Sequence, residues 1–240
     1  MGPALGWGAL SASSLVIGAL LGLARRWPDR QIGMVLAFGA GALISAVSFE
    51  LVEEGRHVGG PVSLGIGLGA GAFVFYFADR AVERRASGPD SRAQSSGAGS
   101  ALALGAFLDG IPEQAVLGIS IAEGGAVSVG LLVAIFVSNL PEAIGSASEM
   151  RAAGRRPPTI RRLWIAVAIV CTLASVGGYG IADVSGGHLE AGINGFAGGA
   201  LLVMLVDSMI PEATSKFGGK AGLVTTLGFA VATGLSNLSS

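Results

Sequence analysis

A helix that crosses a bilayer must stay apolar for about 20 successive residues, and this chain meets that demand again and again, leaving room for little else. Candidate spans cover roughly residues 5–23, 32–52, 62–78, 101–121, 127–146, 163–181, 191–210 and 222–235. Eight spans imply an all-α polytopic membrane protein whose first partner is the lipid bilayer. Composition agrees: 51% of the 240 residues are apolar, mean hydropathy is +0.68, and 13% are charged, about half of the roughly 25% usual in soluble domains. So few charges could not cover a soluble enzyme, and a disordered chain would be more polar. The net charge of −1 gives nucleic acid nothing to hold, so no such partner is expected. One cysteine, Cys171, excludes an internal disulfide framework and a cysteine-rich zinc module.

Basic residues fix an expected orientation. The loops after spans 1, 3, 5 and 7 hold 3, 4, 5 and 2 Lys or Arg, and the opposite side holds Arg56. Positive charge stays in the cytoplasm, which puts both termini outside a plasma (inner) membrane. Arg25-Arg26-Trp-Pro-Asp-Arg30 follows the first span, whereas a cleavable signal carries its charge before it. That span is read as retained. Residues 79–99, rich in Ser, Gly, Arg and Pro, are expected to form a mobile cytoplasmic loop within a single transmembrane domain over 1–240.

Two segments repeat. Ala37-Phe-Gly-Ala-Gly-Ala-Leu in span 2 matches Gly195-Phe-Ala-Gly-Gly-Ala-Leu in span 7, and the same offset of 158 aligns Glu54 with Glu212. Ala106-Phe-Leu-Asp-Gly-Ile-Pro-Glu113 in span 4 matches Ile135-Phe-Val-Ser-Asn-Leu-Pro-Glu142 in span 5. Successive spans alternate direction, so both matches relate inverted elements, as in transporters with inverted repeats. The expected arrangement is 3+2+3, with spans 4 and 5 central. Chance likeness between Gly/Ala-rich helices is the competing account of the 2/7 match.

An acidic residue at mid-span costs about 2.5–3.5 kcal/mol even on the lenient insertion scale. Asp109, Glu113 and Glu142 lie inside spans 4 and 5, Asp207 and Glu212 near the inner end of span 7, and Glu50 near the outer end of span 2, with no Lys or Arg at mid-span. Such carboxylates must be protonated or share a cation. Asp109 and Glu113, like Ser138 and Glu142, stand four apart on one helix face, and Asn139 lies three before Glu142. Pro112 and Pro141 cannot donate to the carbonyls of Leu108 and Val137, which frees two more oxygens at that depth. This oxygen-rich set suits a divalent cation. The competing reading makes the prolines simple kinks and the acids protonated. Asp207 and Glu212 could also be solvated at the inner end. Elsewhere the plain readings prevail: Glu53 and Glu54 a solvated pair, His57 and His188 inert loop residues, Cys171 a small buried side chain, and Gly65, Gly67, Gly69 and Gly71 a close-packing face.

Together these features resemble the ZIP family of divalent-metal transporters. Phe107-Leu-Asp-Gly-Ile-Pro-Glu-Gln114 is similar to the family's His-Asn-x-Pro-Glu-Gly in span 4, Val137-Ser-Asn-Leu-Pro-Glu-Ala143 to its counterpart in span 5, and Gly195 through Pro211-Glu212 to its seventh span. The resemblance implies a binuclear metal site at mid-membrane, with Asp109 for the usual histidine, Glu113 shared, Asn139 for a carboxylate or amide ligand, and Glu142 as second glutamate. Asp207 and Glu212 would lie near the inner exit route. The chain departs from the family in three ways: no histidine lies in any span, Gly110 replaces an asparagine, and Ser175 stands about where some members carry a glutamate. An all-oxygen site is harder than a typical zinc site, so manganese, ferrous iron and cadmium compete with the zinc that the resemblance implies.

The expected function is import of a divalent metal, as cargo and with no cofactor. Two alternatives stay open. An intramembrane enzyme on a lipid-linked substrate would use Glu113 or Glu142 as acid or base, and lipid-phosphate hydrolysis by pure protein would reveal it. A transport-inactive relative would bind metal without flux. A homodimer stays open as the assembly.

Overall fold

The computed structural model describes residues 1–25, 27–86, 97–122, 129–182 and 186–239, with side chains left out at 82, 83, 85, 86, 97–109 and 237–239. Every element among them is helical: α1 (Gly2–Ala24), α2 (Asp29–Ala46), α3 (Glu54–Ala86), α4 (Gly97–Ala122), α5 (Val129–Ala152), α6 (Pro157–Ala182), α7 (Gly187–Met204), α8 (Ile210–Phe217) and α9 (Ala221–Ser239). Two π-helical stretches, Val47–Glu53 and Leu205–Met209, join α2 to α3 and α7 to α8 without a break. Five helical stretches are long and apolar enough to cross a membrane: Gly2–Ala24, Asp29–Ala81, Val129–Ala152, Pro157–Ala182 and Gly187–Phe217, with a shorter apolar helix over Ala221–Ser236. On α3 the exposed side chains Val62, Ile66, Phe73 and Phe77 recur at helical spacing and are all more than 60% accessible, an apolar stripe that suits hydrocarbon rather than water.

The helices run further than hydropathy alone suggests. Residues 79–86 extend α3 and 97–99 open α4, so the expected loop over 79–99 is helical at both ends, and 87–96 lie outside the described residues. Asp79-Arg-Ala-Val-Glu-Arg-Arg-Ala86 is built largely from good helix formers, and nothing in it stops the helix. Glu53, Glu54 and His57 likewise lie in helix rather than loop, and His188 sits in the first turn of α7. The chain reverses instead at Gly60 (φ 82°), where a side chain would be strained and where Pro61 can start the next helix. It turns again at Gly218 (φ 84°), between α8 and α9.

Packing divides the helices into two groups. One gathers α1, α4, α5 and α6; the other gathers α2, α3, α7 and α9, and α2 lies against α5 where the groups meet. Glycine makes the tightest of these contacts. A methyl on Gly118 would strike the carbonyl of Ser175, and one on Gly178 that of Ala115, so α4 and α6 meet backbone to backbone at reciprocal glycines. Gly41 and Gly228 serve α2 and α9 in the same way, Gly195 and Gly199 hold α7 against α3, and Gly18 and Gly22 bring α1 onto α5. Without a hydrophobic force between helices in lipid, such close van der Waals contact supplies the association. Trp164 of α6, fully buried, fills the space beside Leu15 of α1 and Ala147 of α5.

Gly177 faces open space, one residue from Gly178. Gly178→Val should cost about 1–3 kcal/mol of overpacking, seen as a lower melting temperature in detergent, while Gly177→Val leaves melting nearly unchanged.

Candidate functional site

Both α4 and α5 run on through an internal proline, Pro112 and Pro141, and bring their polar residues to one place. Glu113 of α4 is 2% exposed, and on α5 Ser138 and Asn139 are buried just as deeply. The Ser138 hydroxyl donates to Oε1 of Glu113 at 3.1 Å and also lies 3.0 Å from the carbonyl oxygen of Ile135. That bond ties α5 to α4 at the carboxylate. Glu113 and Glu142 line a single narrow cavity together with Leu36, Met204, Ser208, Met209 and Glu212. The cavity leaves about 30 Å³ for water, against the roughly 10–15 Å³ needed by one molecule, so it is of the right scale for an ion with little hydration.

Asn139 is fully buried, and neither its amide nitrogen nor its amide oxygen has a hydrogen-bond partner among the described residues. An orphaned amide at such depth is costly and is available to a ligand. Glu212 reaches the cavity from α8, but Lys216, four residues on, holds it at 2.7 Å. This cation was not anticipated among the span acids: Lys216 is largely buried, with 18% of its side chain accessible, and so partly neutralises Glu212. Asp207 is exposed in the π stretch and does not line the cavity. Asp109 belongs to α4, four residues before Glu113, and its side chain lies outside the described residues. Among the described residues, no three His, Cys, Asp or Glu side chains form a ready metal cluster.

Hydropathy gave no hint of several neighbours. Met204 and Met209 put thioethers on the wall of a site that spacing alone makes all-oxygen, and thioether sulfur favours softer ions. Cys171 of α6 is buried against the α4 backbone at Gly110, where an added methyl would come within 2.8 Å of Sγ. Gln114, next to Glu113, donates through Nε2 to the Ser11 hydroxyl of α1 at 3.0 Å. Ser175 donates to the carbonyl of Ala4 at 3.2 Å, which spends its hydroxyl on helix pairing. The histidines serve locally: His57 lies 2.8 Å from Glu53, which also accepts from Arg56, and His188 Nδ1 lies 2.9 Å from the Gly59 carbonyl oxygen. Glu50 accepts from Ser236 at 2.5 Å, which links the first π stretch to α9.

No family model matches the chain. Over 187 residues, 75% of its length, it is 28% identical to a curated protein of Arabidopsis thaliana named "Putative zinc transporter". The chain spans 30% of that relative's length. A transporter-named relative and a run of long apolar helices together describe a multi-pass helical membrane protein.

Ser138→Ala should remove a buried donor from Glu113 and lower stability by about 1–3 kcal/mol. Thr226→Ala, which loses an exposed hydroxyl bond within α9, should change it by less than about 0.5 kcal/mol. Thermal melts in detergent compare the two.

Proposed function

We propose that this chain carries a divalent metal cation across the plasma membrane into the cytoplasm, in the manner of the ZIP family, and binds it between α4 and α5. One observation carries the reading: Glu113 and Glu142, each just after a proline inside its helix, line the same narrow cavity inside an apolar helical protein. Two carboxylates in a low-dielectric interior repel each other unless they are protonated or share a cation. The ligand set proposed is Glu113 and Glu142 with Ser138, Asn139 and Asp109.

Zinc is the first candidate, since the relative's name points to it. The two methionines favour zinc or cadmium and the carboxylates favour manganese or ferrous iron. Glu212, held by Lys216, would receive the ion next; Asp207, five residues earlier on the same helical rod, is exposed and lies off this route.

The proposed frame is eight crossings in an inverted 3+2+3 arrangement, with α4 and α5 central and both termini outside. Its support is the offset of 158. The π stretches start at Val47 and Leu205, and the positive-φ turns fall at Gly60 and Gly218, each pair separated by that interval. Helix pairing obeys the same exchange. Swapping α1 with α6, α2 with α7, α3 with α9 and α4 with α5 converts the α3–α7 contact into α9–α2 and the α1–α5 contact into α6–α4.

Protein in liposomes should take up at least one of zinc, manganese, iron or cadmium in preference to magnesium. Glu113→Ala should reduce uptake to the level of empty vesicles while still inserting and eluting as wild type does. Uptake at the wild-type rate by that variant would end the proposal.

A further inference from the structure

Where α1 and α5 end side by side, well away from the carboxylates, a second cavity of about 330 Å³ is lined by Gly22, Ala24, Arg25, Ser148, Arg151 and Ala152. That volume lies at the small end of the range for ligand sites. Two arginines line it, and no acidic side chain is among the described residues that line it.

Both arginines are held in place. Arg25 lies over the Trp27 ring, 3.9 Å from its centre, and the indole donates to the Leu21 carbonyl at 3.1 Å. Arg151 donates one N–H to the Leu23 carbonyl. A guanidinium has five N–H donors, so the bond to Leu23 leaves most of the fork for a ligand. The end of a helix normally repels anions through its last carbonyls, but here three of the last four on α1 are occupied. Leu21 accepts from the Arg25 backbone and the Trp27 ring, Gly22 from the Ser148 hydroxyl at 3.2 Å, and Leu23 from Arg151. Most of the negative end of α1 is thereby covered, and the charged side chains on the lining are both cationic.

Depth selects the ligand. The apolar run of α1 ends at Ala24, and an arginine and a tryptophan follow at once, the pattern that marks headgroup level. We infer that this cavity binds the phosphate of an anionic phospholipid, with the Arg25 and Arg151 guanidinium groups as donors and the Ser148 hydroxyl beside them. Basic pockets between membrane helices bind such headgroups, and guanidinium matches a phosphate's paired oxygens. The lipid would bridge α1 to α5, the helix that carries Ser138, Asn139 and Glu142.

The test uses the full chain in detergent, stripped of lipid and titrated with short-chain phosphatidylglycerol, phosphatidylcholine or inorganic phosphate, with binding read by native mass spectrometry. Phosphatidylglycerol should bind most tightly. Arg25→Gln and Arg151→Gln should each weaken it about fivefold and the double variant about twenty-five-fold, while Arg161→Gln, outside the cavity, leaves it unchanged. Should Arg151→Gln fail to fold, Arg25→Gln decides alone. Wild-type affinity in the folded variants, or phosphatidylcholine bound as tightly as phosphatidylglycerol, would overturn the inference. Displacement of the lipid by an equal concentration of inorganic phosphate would also overturn it, since the cavity would then belong to a free anion.

Discussion

Helices in this molecule meet at backbone distance, and most of its other features depend on that closeness. Because Gly118 and Gly178, Gly41 and Gly228, and the glycine ladder between α3 and α7 leave no side chain at the contact, each pair behaves as a stiff unit. Stiff pairs confine irregularity to a few places: the prolines at 112 and 141, the two π stretches and the positive-φ glycines. Polar chemistry collects at the same places, since irregular backbone inside a membrane is tolerated only where it is buried in protein or lines a cavity. The Glu113–Glu142 cavity lies on the seam between the two helix groups, with α4 and α5 on one side and α2, α7 and α8 on the other.

The electrostatics of that seam are graded. Glu113 is almost fully enclosed and accepts from Ser138, while Glu142 and Glu212 are both half-buried and Glu212 is paired with Lys216. Burial therefore weighs most on the first carboxylate, and a lysine offsets the charge of the last. A cation moving along this line would leave a site where it is badly needed for one where a lysine already competes with it. Under the proposed function, such a gradient favours release at the Lys216 end.

Much of this was legible in the sequence because its signals are local. An apolar run of span length reads as a helix whatever it packs against, and a Pro-Glu pair inside one flags a buried acid beside freed carbonyls. The missing information was mostly non-local. Nothing near Gln114 announces Ser11, 103 residues away, and nothing in α6 says that Cys171 will rest on Gly110. Met204 and Met209 look like ordinary core residues until α7 is set against α4. Lys216 was misjudged for another reason: its place after span 7 suggested water, yet one helical turn returns it to Glu212 and into a largely buried position. The loop over 79–99 was overestimated because composition reports flexibility poorly where helix formers merely leave the membrane.

The stretch Leu205–Met209 adds a phase shift to these contacts. A π turn accommodates about one more residue than an α turn, and one residue is about 100° of rotation. Along this rod Met204, Ser208, Met209 and Glu212 all meet the cavity. If the rod were regular throughout, everything beyond the stretch would swing by that angle, and the wall would receive a proline or an alanine where a carboxylate now stands. The composition of the segment would be identical, and Glu212 would no longer face the cavity.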